Sequence, residues 1–423
     1  MLSLLLGLAS VARAQEAIPE ITDPDAIPEP MPMLDEGGYD IVNFLLLGSD
    51  TTNPRNAGRT DVLMIVSVNR TAGTVAMMSI PRDLYVYIPG SGMERINTAY
   101  GYGENNDVEG DGAGLIAETI RYNLGIEIDH FARVDFNDFR QIIDDLGGVE
   151  LSVDCAIQDW RLIEPTLDPA LEENWAMYTL PIGVHEMDGD LALWYARSRR
   201  TSSDFDRGRR QQALLRGLLG RIRELNLLEQ VTDVWPQVLE LVDTDIDLHA
   251  MLDLVPLAVS IDTSRIASYT FRANVEVRSH RSPAGSSVLV PNRLAIRRLE
   301  EQMIEPVTEH RLVREAARIE IVNASGMRSL ARVAADRLAW EGFVPRISSE
   351  TLPYREYTVV YDYTGQTKGS SLGMLQTALR IGDTGVIVEP VAEREVDFRI
   401  VLGGSYYSCT YSVEPPVDLT DTP

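Results

Sequence analysis

The chain has 423 residues and a mass of 47.0 kDa, enough for two or three domains with cores of their own. Hydrophobic residues make up 44% and charged residues 24%, which excludes a wholly disordered chain and a polytopic membrane protein. The 38 basic and 64 acidic side chains give a net charge of −26, so the basic footprint of a nucleic-acid binder is missing. Lys368 is the only lysine, so any anion site here is built from planar guanidinium forks rather than ammonium groups. Two cysteines, Cys155 and Cys409, are too few for a disulfide framework or a Cys-rich zinc site, and sequence leaves their pairing open.

Residues 1–14 hold an apolar run, Leu2 to Ala12, followed by Ala12-Arg13-Ala14. This pattern is expected of a secretory signal or a truncated anchor, and it is too short to span a membrane. Residues 15–40 form an acidic, Pro-rich segment. Between 16 and 40 there are eight Asp or Glu, five Pro and no basic residue, so an extended linker without a core is expected. Together these segments point to work outside the cytoplasm.

From Ile41 the pattern changes to structured elements. IVNFLLLG, DVLMIVSVN and TVAMMSI read as buried strands. Gly112 to Leu124 has helical spacing and stops at Gly125. HFARVDF reads as a strand, DFRQIIDDLGG as a helix closed by glycine, and VELSVD as a further strand. Leu191 to Ala196 and Gln211 to Leu228 read as helices. Residues 229–310 continue with helices and a hairpin-like stretch near Ser282 to Val290. A second unit over 317–406 alternates strand and helix from RIEIVNASG to Phe398–Leu402. The alternation predicts an α/β core, a mixed central sheet flanked by helices, with a second, smaller α/β domain at the C-terminus. The tail over 407–423 is acidic and Pro-rich and is expected to be disordered.

The densest chemical signal is WYARSRRTSSDFDRGRRQQ, Trp194 to Gln212. Six Arg fall within fourteen positions (197, 199, 200, 207, 209 and 210), against the sign of the whole chain. A charge run is usually a solvated helix face. Here only Arg is used, and Asp204 and Asp206 are placed to orient guanidinium groups. Arg207 and Gln211 are four residues apart and share a helix face, with Asp204 one turn earlier. Convergent forks suit a phosphate or pyrophosphate. A second signal is GSDTTNPRNAGRTDVLMIV. Asp50 follows one strand and Asp61 precedes the next, so neighbouring strands would place both carboxylates on one rim. Two carboxylates plus phosphate oxygens make a typical Mg²⁺ site, although Asp is also a common turn residue. The third signal is SIPRD, with Arg82 just past a buried strand.

In order and spacing these segments resemble the LytR-CpsA-Psr family of cell-wall glycopolymer ligases. The matching stretches are LLLGSD (45–50), RTD (59–61), SIPRDLYVYIPG (79–90), RINTAYGYG (95–103), DLGGVELSV (145–153) and MDGDLALWYARSR…DFDRGRRQQ (187–212). The likeness covers about residues 41–305, within a catalytic domain taken as 41–310. The last unit looks like the small C-terminal domain often appended to such proteins. The resemblance implies an α-β-α sandwich and an apolar pocket for a polyprenyl chain. It also implies transfer of a glycopolymer from a polyprenyl-pyrophosphate carrier to peptidoglycan, on the muramic acid 6-hydroxyl, with Mg²⁺. Carried onto this chain, Asp50 and Asp61 would hold the metal. Arg59, Arg82, Arg197, Arg199 and Arg207 would grip the pyrophosphate with Gln211, and Asp204 would support them. Asp61, Arg82 and Arg207 would be catalytic, while Arg200 and Arg209 fall outside the pattern and are expected to face solvent. The protein would work outside the cytoplasm, secreted or attached to the outer face of the cytoplasmic membrane.

The residues themselves agree with this. Transfer from a pyrophosphate needs charge neutralisation at the leaving phosphate, and the acceptor hydroxyl needs a base, either Asp61 or another rim carboxylate. Two other functions use the same residues. A polyprenyl pyrophosphate hydrolase would substitute water for the sugar hydroxyl, and a transfer assay separates it. A non-enzymatic envelope lipid-binding or regulatory protein would copurify with lipid and not turn it over in Mg²⁺.

Overall fold

The computed structural model describes residues 17–50, 58–106, 108–307, 316–350, 352–366 and 371–406. The expected signal (1–14) and the C-terminal tail (407–423) lie outside the described residues, as does Cys409. Cys155 is buried and disulfide-bonded.

Six strands make the central sheet of the first domain among the described residues. They are β1 (Ile41–Ser49), β2 (Thr60–Asn69), β3 (Thr74–Ser79), β4 (His130–Asp135), β5 (Val242–Thr244) and β6 (Ile266–Thr270). The order is β5-β4-β1-β2-β3-β6. β1–β2 and β2–β3 are antiparallel hairpin neighbours, while β1–β4 and β3–β6 are parallel. The sheet is mixed, as expected. β6 was not anticipated; Ile266-Ala-Ser-Tyr-Thr carries no continuous apolar run, and only its pairing with β3 makes it a strand.

Strand periodicity sorts the core. Leu45, Leu47, Leu63, Ile65, Ala76 and Met78 point to one face, against α1 (Asp111–Leu124) and a later helix, α5 (Arg293–Ile304). Phe44, Val68, Met64 and Met77 point to the other face, toward helices over 231–260 and the long α4 (Asp204–Glu224). β1, β2 and β3 are therefore buried on both sides, which accounts for runs such as FLLL and MIV. Between these elements lie α2 (Phe136–Asp145) and α3 (Gly189–Arg197), whose N-termini are capped by Asp135 and Asp188. α4 begins seven residues earlier than its apolar pattern suggests. Ser203 and Asp206 form a reciprocal capping box that nucleates the helix inside the Arg-rich stretch.

The acidic segment after residue 16 is extended, as expected, but it is not a free linker. It is strapped across α1 and α5. Met31 is buried, its N–H donates to the Tyr122 carbonyl at 2.8 Å, and Leu34 N–H donates to the Gly125 carbonyl at 2.8 Å. Arg293 and Arg297 donate to the carbonyls of Glu29 and Pro32. A strap of this composition holds because its backbone carbonyls, not its side chains, meet buried guanidinium groups. Gly125 ends α1 at φ +70°, and a Cβ there would stand 2.1 Å from the Pro32 carbonyl oxygen. Only glycine allows both the helix stop and the docked strap.

Beneath the strap, Glu300 of α5 is fully buried, 3.5 Å from Arg297, with no hydrogen-bond partner for either carboxyl oxygen among the described residues. Burial pushes its pKa from 4.5 to about 8, with Arg297 opposing the shift. A raised pKa stabilises the fold fully below about pH 4.5, where both states hold the proton. That stability is lost as pH rises through about 8, because the unfolded chain ionises and the folded one does not. Glu300→Gln should remove this slope. Melting curves should converge near pH 5 and the variant should melt higher at pH 8. Parallel pH profiles for the two proteins would contradict it.

The second domain is a five-stranded mixed sheet packed against α6 (Leu330–Trp340) and the helix Leu372–Leu379. It docks on the first domain. Ile182 and Val184 pack into its core, and Ser152 donates to Asp336. Arg332 pairs with Glu150, and Arg216 of α4 stacks 4.8 Å from the Trp340 ring centre.

Candidate active site

The site is built at the ends of β1, β2 and β3. The β1–β2 register shifts at Gly48 and Ser49, which pair with Val62 and Thr60 and leave Asp61 as an extra residue. This bulge turns Asp61 out of the ladder, as bulges beside functional sites do. Its carboxylate accepts from Arg82 at 2.6 Å. Arg82 lies two residues beyond Ile80, in a loop where Asn97 N–H donates to the Arg82 carbonyl. Burial opposes the charge on Arg82, but Asp61, with Asp83 and Asp204, outweighs it and the Arg82 pKa is raised.

α4 brings the second group of arginines to the same rim. Its close approach depends on Gly208, where a Cβ would stand 2.9 Å from Cβ of Ser79. Gln212, fully buried, donates to Ser79 Oγ and the Tyr269 carbonyl, each at 2.8 Å. These contacts lock α4 against the ends of β3 and β6. Arg207 is then buried beside Asp204, 3.2 Å away. Burial lowers its pKa, Asp204 opposes this, and the like charge of Arg82 adds to it. Asp61, Asp204, Arg207 and Gln211 line one small pocket, with Leu63, Ile80, Phe205 and Phe271 as its apolar wall. Gln211 also donates to the Ala196 carbonyl at 3.1 Å, so it ties α4 to α3.

Arg197 ends α3. Its guanidinium lies 4.4 Å over the Phe136 ring and 3.5 Å from Asp50, a nearly buried carboxylate at the end of β1. The side chain is 47% exposed overall, with the guanidinium between the Phe136 ring and Asp50. Desolvation accordingly lowers its pKa against the pull of Asp50 and Asp61. Both carboxylates thus act on one guanidinium. Arg199 is exposed but within electrostatic reach of Arg197 and Arg207. Arg59 is exposed and makes no ion pair among the described residues, so it is not gathered into the cluster here.

Two points of the sequence reading change. Arg209 does not face solvent; it pairs with Asp154 at 3.2 Å, toward the second domain. Arg200 is exposed, as expected. Sequence reasoning also missed Arg133 of β4. It donates to Ser49 Oγ at 3.1 Å, next to Asp50, and stacks 4.9 Å from the Tyr100 ring centre. The signal was an Arg in the middle of a predicted strand, HFARVDF, but its neighbour depends on the parallel β1–β4 pairing.

Comparison with known proteins addresses the same region. The sequence profile of the LytR_cpsA_psr family matches residues 11–305. The chain belongs to the LytR-CpsA-Psr family. A second profile, the LytR cell envelope-related transcriptional attenuator, matches residues 316–406. The polyisoprenyl-teichoic acid–peptidoglycan teichoic acid transferase TagT of Bacillus subtilis is 28% identical, over 60% of this chain and 71% of its own length. The probable cell wall biosynthesis protein LcpB of Corynebacterium glutamicum is 32% identical, over 48% of this chain and 47% of its own. The crystal structure of B. subtilis TagV has the same fold, with a TM-score of 0.51, 23% identity, and coverage of 63% of this chain and 97% of that one. Among the described residues no helix is long and apolar enough to cross a membrane.

Proposed function

We propose that this LytR-CpsA-Psr protein transfers an anionic or secondary cell-wall glycopolymer from a polyprenyl-pyrophosphate carrier to peptidoglycan, on the muramic acid 6-hydroxyl. The observation that carries this reading is the gathering of Arg82, Arg197 and Arg207 with Asp50, Asp61 and Asp204 at the strand-end rim of the sheet. A doubly charged head group needs such convergent guanidinium forks. The teichoic acid transfer named for TagT supports the same reading.

In the reaction the acceptor oxygen forms a bond to the glycan-linked phosphorus. The bridging P–O bond breaks, the polyprenyl phosphate leaves, and the hydroxyl proton passes to a rim carboxylate. Arg82 and Arg207, with Arg197 and Arg199, hold the pyrophosphate oxygens and stabilise the charge on the leaving phosphate. Arg82 is kept charged by Asp61, and Arg207 is oriented by Asp204. Partial burial strengthens each of these interactions.

The donor set fits Mg²⁺. No group of three or more His, Cys, Asp or Glu is gathered for a metal among the described residues, and Mg²⁺ is usually bound by one or two carboxylates plus substrate phosphates. Asp50 and Asp61 would be those carboxylates, and the ion would neutralise pyrophosphate charge when bound. The site would act outside the cytoplasm, at the membrane surface where a lipid carrier lies.

The test is a reconstituted assay with a polyprenyl-pyrophosphate glycan and soluble peptidoglycan strands in Mg²⁺. The expected product is a phosphodiester-linked glycan on the strand. Release of glycan phosphate without any linked product would assign the site to hydrolysis instead. Lipid bound with no turnover would make the protein a binder.

A further inference from the structure

Three of the five tryptophans, Trp160, Trp175 and Trp194, line one open cleft of about 290 Å³, near the lower end of ligand-pocket sizes. It lies beside the phosphate-facing arginines, because Arg197 and Arg199 form part of its wall. Two of the rings stand on an antiparallel ribbon of Ile157–Leu162 and Trp175–Leu180. A two-stranded ribbon is marginal alone, and this one is braced by α3. Trp194 Nε1 donates to the Trp160 carbonyl at 2.9 Å, and the Tyr178 ring meets Trp194 edge-on at 5.1 Å. Trp175 Nε1 is fixed to the Pro169 carbonyl at 3.1 Å.

The bracing holds Trp160 through its backbone carbonyl, and its ring is 51% exposed with the Arg200 guanidinium 5.8 Å from the ring centre. Asp159 accepts from the backbone N–H groups of Arg199 and Arg200, which joins the ribbon to the arginine loop. Arg161 lies 5.0 Å from the Tyr178 ring centre, and neither it nor Arg199 has an ion pair among the described residues. The cleft therefore combines three indole rings with four guanidinium groups, Arg140, Arg161, Arg197 and Arg199, against two carboxylates, Asp159 and Asp190. Indole faces are electron-rich and pack against the C–H face of a pyranose, while free guanidinium forks take a carboxylate or phosphate.

We infer that this cleft binds a pyranose ring bearing an anionic substituent, as a saccharide subsite next to the pyrophosphate site. The inference rests on the transfer reading for its substrate class and not for its geometry. The anionic sugar has two sources, the muramic acid of the acceptor strand or the phosphate-bearing sugar of the donor.

Binding is measured on the full chain by tryptophan fluorescence and saturation-transfer NMR, without lipid or Mg²⁺. The probes are the disaccharide N-acetylglucosaminyl-N-acetylmuramic acid, N-acetylglucosamine 1-phosphate, and neutral chitobiose. At least one anionic probe should bind saturably and more tightly than chitobiose. Tighter binding of the muramic acid probe assigns the cleft to the acceptor, and tighter binding of the phosphate probe to the donor. Trp160→Ala should weaken the preferred probe about tenfold. Arg161→Gln, a change at a partly exposed side chain, should erase the preference over chitobiose. No saturable binding of either anionic probe overturns the inference, as does binding that both variants leave unchanged. Saccharide binding by a protein with no transfer activity would remove the transfer reading and keep the cleft. Transfer accompanied by binding that ignores both variants would do the reverse.

Discussion

Asp61→Ala should lower glycan transfer by roughly 100- to 1,000-fold, the scale seen when a fixed charge-stabilising group is removed from an active site. The change strips Arg82 of its 2.6 Å partner and removes one of the two carboxylates proposed for Mg²⁺. Asp50→Ala should behave similarly, because it frees Arg197 and removes the other carboxylate. The melting temperature should move by only about a few degrees in either variant, since both carboxylates sit at strand ends outside the apolar layers. Turnover is measured across a Mg²⁺ titration with thermal melts alongside. Turnover near the parent's at every Mg²⁺ concentration, in both variants, would remove the proposed metal role. A large loss of melting temperature in metal-free buffer would reduce both residues to structural turn positions.

Arg207→Lys is the second decisive change. Lysine keeps the charge but loses the planar fork that meets both Asp204 and the pyrophosphate. A lost charge-assisted hydrogen bond is worth about 1.5 to 3 kcal/mol, or roughly 10- to 150-fold in turnover. Arg200→Lys is the control, because Arg200 is exposed and its guanidinium lies 5.8 Å from the Trp160 ring centre, away from the pocket of Asp61, Asp204 and Arg207. Arg209 cannot serve as a second control, since it pairs with Asp154 and a change there would disturb the domain junction. Equal losses in Arg207→Lys and Arg200→Lys would mean that the cluster is a general charged surface and that no pyrophosphate is gripped by Arg207.

Most of this arrangement could be read from the chain because its information is local. β1, β2 and β3 are buried on both faces, so each prints a continuous apolar run. Asp50, Asp61 and Arg82 stand just outside those runs, and strand ends are where open sheets place ligands. What escaped depends on pairing between distant segments. β6 is a strand only because it lies beside β3, and Arg133 joins the rim only because β4 runs parallel to β1. The aromatic cleft unites Trp160 and Trp175, fifteen residues apart, through a hairpin whose turn carries no compact signal. The strap was misjudged for another reason. Its composition cannot make a core, yet its carbonyls can satisfy buried arginines that belong to α5. Charge counting over the segment gave no sign of that.

α4 is a continuous rod of 21 residues, about 30 Å long. Its first turns carry Arg207 and Gln211 to the pocket shared with Asp61 and Asp204, and from the same rod Arg209 reaches Asp154 at the domain junction and Arg216 reaches Trp340 of the second domain. Helices transmit displacement along their length with little compliance, so a torque on the small domain is delivered to the Arg207 guanidinium. The two domains are therefore not interchangeable modules. A chimera carrying a relative's C-terminal domain should keep its activity only if that domain also supplies the equivalents of Trp340 and Asp336. Otherwise the rod loses its far bearing, and Arg207 drifts out of register with Asp61 while every residue of the pocket is still present.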